Sequence, residues 1–244
     1  MTRLAIHTIL LLSVWLPVSS QHSFRSGEEL ELQIYYGPVN AGRVYTDLEI
    51  QMSGGRRLYH AQAIARSTGL ADKLYKVRDV YEGYFDSISL LPVKSVRNIN
   101  EGRYKRHDEV TYDHENNKVF SLRSGEHDVP KGIMDMTTTF FFIRNLDYDT
   151  MVIGQVIKIN TFFDDEVFPF DMRYRGREEI KTRGGVFRCI KLVPYVEPGR
   201  IFESEDDMTI WLSDDDNHMP VRIRFDLIIG SVKCDLIEYS GLKY

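Results

Sequence analysis

Cysteine is almost absent from this 244-residue chain. The two present, Cys189 and Cys234, exclude a disulfide-dense scaffold and a cysteine-rich zinc module. With only 8 prolines and no Pro/Ser/Gly-rich stretch, nothing reads as a linker, and no internal repeat is visible. Beyond residue 20 no run of 18 apolar residues occurs, so no later segment reads as a membrane-spanning helix. The short catalytic signatures are missing too: there is no G-x-S-x-G elbow, H-E-x-x-H, C-x-x-C, P-loop or G-x-G-x-x-G. Triads assemble from distant residues, so this does not exclude an enzyme, but no residue is marked as catalytic. Positive charge is not in excess: 31 basic side chains face 36 acidic ones, for a net −5, which gives no general attraction to nucleic acid or anionic headgroups.

What the chain does have is aromatic and apolar content. The 14 Tyr, 13 Phe and 2 Trp exclude a disordered chain, and 43% hydrophobic residues suffice for a packed core. The first 20 residues read as an export signal: Arg3 forms a basic n-region, Leu4 to Val18 an apolar stretch, and Pro17 with Val18-Ser19-Ser20 a small-residue cleavage site before Gln21. At about 15 residues the stretch is shorter than the roughly 20 that span a bilayer, so cleavage is expected over anchoring. Cleavage near Ser20 leaves residues 21–244 as one β-rich domain, removes Arg3 and no acid, and shifts the net charge to −6. The mature protein is expected in the periplasm or secreted. There Cys189 and Cys234 either close a loop of about 45 residues, worth roughly 4 kcal/mol in the chain-entropy model, or serve as two independent core thiols.

Period-2 alternation dominates the rest. Over 29–36, Leu30, Leu32, Ile34 and Tyr36 share one face; over 44–52, Val44, Thr46, Leu48, Ile50 and Met52 point inward. The strand at 58–68 carries Ala61, Ala63 and Ala65, small residues that make room for a covering element. The candidate is the helical spacing of Leu70, Leu74 and Val77 at 69–76. A second helix is expected at 133–145, where Asp135 is placed to cap it. The β-branched and aromatic run from Thr137 to Ile143 favours strand by propensity, yet apolar residues on every side suit a helix enclosed by protein. Twelve or more strands with short polar or glycine turns imply an all-β fold with one or two short helices, built as a single antiparallel β-barrel or strongly curved half-barrel meander.

Candidate chemistry is thin. The sets His107-Asp108-Glu109, Asp113-His114-Glu115 and Glu126-His127-Asp128 have metal-ligand chemistry, but they lie in or beside polar loops, so no metal and no cofactor are assigned. Asp214-Asp215-Asp216-Asn217 lacks the glycine and distal glutamate of a calcium loop and reads as a turn. Arg97, Arg103, Lys105 and Arg106 around Tyr104 read as a solvated strand face rather than a nucleic-acid patch. The apolar side gives the leading hypothesis: Leu70, Leu74, Phe140, Phe141 and Ile143 covering the mouth or interior of a curved sheet and binding an apolar or lipid-like ligand.

Several stretches together resemble a bacterial envelope family known only as domain of unknown function 3108. They are Phe24-Arg25-Ser26-Gly27-Glu28-Glu29-Leu30, Tyr35-Tyr36-Gly37, Ala41-Gly42, Thr68-Gly69-Leu70, Tyr75-Lys76-Val77-Arg78-Asp79, Pro198-Gly199-Arg200-Ile201-Phe202, Trp211-Leu212-Ser213-Asp214-Asp215, and the closing run from Pro220-Val221-Arg222-Ile223 to Glu238-Tyr239-Ser240-Gly241-Leu242. The resemblance implies export and a β-rich fold, and it carries no catalytic residues over. The function expected is therefore non-enzymatic: binding of an apolar or lipid-like ligand, or assistance in envelope assembly. Two alternatives stand beside it. One is a structural module with a filled core that binds an envelope protein partner. The other is a hydrolase of envelope glycans using dispersed carboxylates such as Asp79, Glu82 or Asp171.

Overall fold

The computed structural model describes residues 22–199 and 202–244. The export signal at 1–20 lies outside them, as do Arg200 and Ile201 of the resemblance. Strands β1 (Glu28–Tyr36), β2 (Val39–Ser53) and β3 (Arg56–Ser67) lead to α1 (Gly69–Leu74). Then come β4 (Arg78–Asp86), β5 (Pro92–Glu101), β6 (Tyr104–Asp113), β7 (Lys118–Ser121) and β8 (Gly125–Asp128). Helix α2 (Met136–Ile143), β9 (Val156–Ile157) and the hairpin of β10 (Asn160–Phe163) with β11 (Glu166–Pro169) form the middle of the chain. It closes with β12 (Met172–Thr182), β13 (Gly185–Pro194), β14 (Met208–Ser213), β15 (Pro220–Asp226) and β16 (Ser231–Ser240).

Fourteen strands form one antiparallel sheet in the order β8-β7-β6-β5-β4-β3-β2-β1-β16-β15-β14-β13-β12-β9. Two meanders meet where the first strand pairs with the last, from Glu29↔Ser240 to Tyr36↔Val232. The end strands β8 and β9 do not pair, so the curved sheet is the open, half-barrel form of the expected meander. The end strands are short, four and two residues, and β9 pairs only with Met172 and Arg173, so the rest of β12 forms that edge of the sheet. In the second half the curl is tight. The Gly184 amide donates to the Leu236 carbonyl at 3.2 Å, and Arg222 Nη2 donates to the Lys181 carbonyl at 3.0 Å, folding the β12–β13 hairpin back over β15 and β16.

Helix α2 forms where 133–145 was expected to be helical, and its position decides what the interior can hold. The Asp135 carboxylate accepts the Thr138 amide at 3.0 Å and the Thr138 hydroxyl, closing the N-terminus. Burial then overrides the strand propensity of its Thr and Phe run. The helix packs over β4 at a seat of small residues: Ala61 and Gly83 are cross-strand partners, and a Cβ on Gly83 would sit 3.1 Å from Thr137 Cβ and Cγ2. Of the three alanines on β3 only Ala61 joins the cluster of Phe24 and Phe141 beside this seat, and none of the residues of α1, the expected cover, is buried.

Three side-chain clusters surround α2. Ile143, with Phe140 and Phe142 beside it, packs among Tyr174, Ile190, Leu192, Ile210 and Leu212 of the second meander. Phe141 turns the other way, onto Phe24, Tyr59 and Phe85 of the first. Ile133, just before the helix, joins Val110, Tyr112, Val119 and Phe162. The β alternation holds at the centre of the sheet and fails at its ends. Leu30, Leu32 and Leu48 are buried as expected, whereas Tyr36 and Met52 are exposed because β1 and β2 run on past the core.

Candidate functional site

The pocket that gathers the most charged chemistry lies at the N-terminus of α2. It has a volume of about 50 Å³, bounded by β4–β6, α2 and the β10–β11 turn, with Arg97, Arg106, Asp108, Asp135, Asp164 and Asp165 on its walls. Strand parity puts Arg97 and Asp108, cross-strand partners, on the same inward face. Arg97 Nη2 reaches Asp108 at 2.5 Å and also holds Asp164; Arg106 reaches the same two acids at 2.6 and 2.9 Å. Burial disfavours the Asp108 carboxylate, but the two arginines outweigh it and hold the group below the usual range. Asp164 and Asp165 form the two-residue turn between β10 and β11 with φ of 55° and 69°. A tight hairpin turn of this kind needs positive φ at both central positions, which Asp tolerates better than most side chains. Asp165 accepts the hydroxyls of Ser121 and Ser124 at 2.5 and 2.8 Å, which fastens the hairpin to β7.

Asp135 closes the inner wall. Burial pushes its carboxyl up to about 6 against the pull of its Thr138 hydrogen bonds. A raised carboxyl in a pocket is the kind of group that marks acid–base sites. Here the volume is small, and no polar side-chain atom buried among the described residues lacks a partner. The walls of this pocket are a network of ion pairs.

The other sequence candidates disperse. Of the acids weighed as a hydrolase set, Asp79 accepts the Asn100 amide at 2.8 Å. Glu82, on the opposite face of β4, meets His60 Nε2 at 2.8 Å and the Tyr84 hydroxyl at 2.9 Å. Asp171 accepts the Ile159 amide at 3.1 Å, beside β12 in the other meander. The histidine–carboxylate sets do not converge: His107 meets Asn98, His114 the Pro92 carbonyl and His127 Ser124. No group of three metal-ligating side chains is found among the described residues. The Asp214–Asn217 segment is the expected turn, with Asp215 accepting the Asn217 and His218 amides. The basic set divides by strand parity: Arg97 and Arg106 face the pocket, against the solvated face expected, while Arg103 and Lys105 are exposed.

The cysteines are free. Cys189 is buried with Ile180, Trp211 and Val221, while Cys234 lies three strands away beside the Leu30–Leu236 cluster. Burial pushes both thiols up to about 12, which makes them poor nucleophiles at neutral pH.

The five residues expected to bind an apolar ligand separate into three places. Phe140 and Ile143 share one core cluster, Phe141 belongs to another, and Leu70 and Leu74 stand exposed on α1 at one end of the sheet. The physical reason is that α2 divides its aromatic side chains between the two meanders. A second hollow, of about 350 Å³, opens on the outer face between Glu29, Glu31, Tyr45, Asp47, Glu238 and Tyr239. It is shallow and acidic, and crowding of carboxylates adds to burial in raising Asp47. No local sequence signal marks it, since β16 comes from the opposite end of the chain to the β1–β2 hairpin that supplies its other walls.

An open, antiparallel half-barrel plugged by one helix is the class of protein this geometry defines. The chain belongs to the family described as protein of unknown function DUF3108, whose model matches residues 31–237. Its fold is shared with a β-barrel-like protein of domain of unknown function DUF1849 from Brucella abortus. That structure has a TM-score of 0.60 at 9% identity over 88% of this chain and 98% of that one. A DUF1089 family protein from Pseudomonas aeruginosa is a weaker match, with a TM-score of 0.41 at 10% identity over 86% and 94%. No curated protein matches the chain. Among the described residues no helix is long and apolar enough to cross a membrane.

Proposed function

We propose that this is an exported, non-catalytic binding module of the bacterial envelope that meets its apolar ligand or partner at its surface. The observation that carries this reading is the position of α2. Ligand pockets for drug-sized or lipid-like molecules run to about 300–1,000 Å³, whereas the inward-facing pocket beside α2 holds about 50 Å³ and is lined by ion pairs. The neutral thiols of buried Cys189 and half-buried Cys234 and the scattered Asp79, Glu82 and Asp171 support a module without covalent or acid–base chemistry. Native mass spectrometry of the protein purified from its own envelope tests it. The expected spectrum is the bare chain; a lipid retained one-to-one would show that the interior opens and would overturn the surface reading.

A protein partner rather than a lipid is the second reading, favoured by the same small inward-facing pocket. Its surface would be the outer face of β1, β2 and β16, where Tyr45 and Tyr239 stand exposed among carboxylates.

A further inference from the structure

We infer that the end of the sheet bearing α1 docks onto an anionic lipid surface, with Leu70, Leu74, Ile228 and Ile229 entering the headgroup boundary and Lys73, Lys76, Arg103 and Lys105 facing the phosphates. Four connections make this end one continuous rim. The Thr68 amide donates to the Ala41 carbonyl at 3.0 Å, joining α1 to the start of β2. The Gly37 amide donates to the Ser231 carbonyl at 3.0 Å and the Tyr36 hydroxyl to the Ile229 carbonyl at 2.9 Å, joining the β1–β2 and β15–β16 turns. On the other side, the Gly102 amide donates to the Lys76 carbonyl at 2.7 Å, which fixes the β5–β6 turn against α1.

Large apolar side chains stand on the tips of this rim: Leu70 is 65% exposed, Leu74 79% and Ile229 77%, with Ile228, Val39, Tyr36, Tyr75 and Tyr104 also exposed. They project from turns and a helix that buries none of its residues, so they form protrusions rather than a groove. Protruding aliphatic tips fit a deformable apolar medium, and the tyrosines beside them suit the headgroup level.

Charge complementarity selects the occupant. The chain as a whole is acidic, yet Lys73, Lys76, Arg103 and Lys105 are exposed here, and among the described residues none of them is in an ion pair. Two of the neighbouring acids are paired, Asp72 with Arg78 at 2.7 Å and Asp226 with Arg224 at 2.7 Å, which leaves the four cations in excess over Glu101 at the β5–β6 turn. The acidic 202–207 loop lies on the far side of Asp226, with Asp206 held by Arg173 and Arg175, so the positive pole sits toward α1. Clustered basic residues next to apolar tips are what an anionic leaflet attracts.

This inference rests on the surface reading above, and the two fail separately, because a bare mass with no vesicle binding removes only the docking. The test is co-sedimentation with phosphatidylcholine vesicles with and without phosphatidylglycerol. Binding is expected only to the anionic vesicles and is expected to fall with added salt. Lys73→Gln with Lys76→Gln should weaken it roughly 30-fold, at about one factor of five per cation. Leu70→Ser with Leu74→Ser should weaken it by at least about tenfold, while Met52→Ser, at the opposite end of β2, leaves it unchanged. All three proteins should keep the wild-type circular dichroism, since the altered side chains are exposed. No binding to either vesicle, equal binding to both, or equal loss from Met52→Ser would each overturn the proposal.

Discussion

Arg144 and Glu28, 116 residues apart in sequence, meet in a bidentate ion pair at 2.6 and 2.7 Å with both side chains only 3% exposed. Arg144 also donates to the Asn217 carbonyl at 3.0 and 3.1 Å, and its guanidinium lies over the rings of Phe24 and Phe141. The C-terminal end of α2, the first strand and the β14–β15 turn are thereby tied at one point. Such a pair is expensive to break because each partner leaves the other charged and dry.

Arg144→Ala should therefore destabilise the fold by about 3–5 kcal/mol. The double variant Arg144→Met with Glu28→Leu should recover most of that loss. Urea denaturation of the single and double variants checks both. A double variant no better than Arg144→Ala would show that geometry at this node, rather than an orphaned charge, sets the cost.

Asp135 gives a pH signature of definite sign. Its ordinary value of 3.8 is raised to about 6 in the fold. As pH rises from about 4 to 6 the unfolded chain loses this proton while the folded chain keeps it, so stability falls across that window and then levels off. The difference corresponds to about 3 kcal/mol. Asp135→Asn keeps a capping oxygen for Thr138 and removes the titration. Its stability relative to wild type should climb between pH 4 and 6 and then stay constant. A pH-independent difference would contradict the buried carboxyl.

Gly83 is predicted to be intolerant of a side chain. An added Cβ meets Thr137 at 3.1 Å and the Thr138 hydroxyl at 3.2 Å, so Gly83→Ala must displace α2. A cost of about 1–3 kcal/mol is expected, part of it recovered in combination with Thr137→Ala. Thermal denaturation of the four proteins in the cycle reads the coupling. Strictly additive effects would mean that the two positions do not touch.

The thiols offer a simple chemical check. Cys189 and Cys234 should both titrate as free sulfhydryls in denaturant, and both should react slowly with a thiol reagent in the native protein at pH 8, since burial raises each to about 12. Fewer than two thiols in non-reducing denaturant would reveal a bridge absent from this fold.

The strands were legible because alternation and glycine turns are local, and Asp135 announced its helix through a capping position. The half-barrel was equally legible as a class, although only the β1–β16 pairing shows that the two meanders meet while β8 and β9 stay apart. The candidate site was harder to read. Phe140, Phe141 and Ile143 stood out as one apolar block, but successive helical positions point about 100° apart, and this distributes them between two clusters. Leu70 and Leu74 stood out by spacing, yet spacing does not tell a covered face from a bare one. Arg97 and Asp108 were visible only as separate charges, because their pairing depends on strand register.

The central claim is that α2 is a fixed plug in a filled interior rather than a lid over a hollow one. Native-state hydrogen exchange of the α2 amides measures this directly. A plug predicts that the amide of Thr139, bonded to the Asp135 carbonyl at 3.0 Å, and its helical neighbours exchange only with global unfolding, at the same free energy as the core strands β13 and β14. Exchange of α2 through a local opening several kcal/mol below that of the core strands would contradict it.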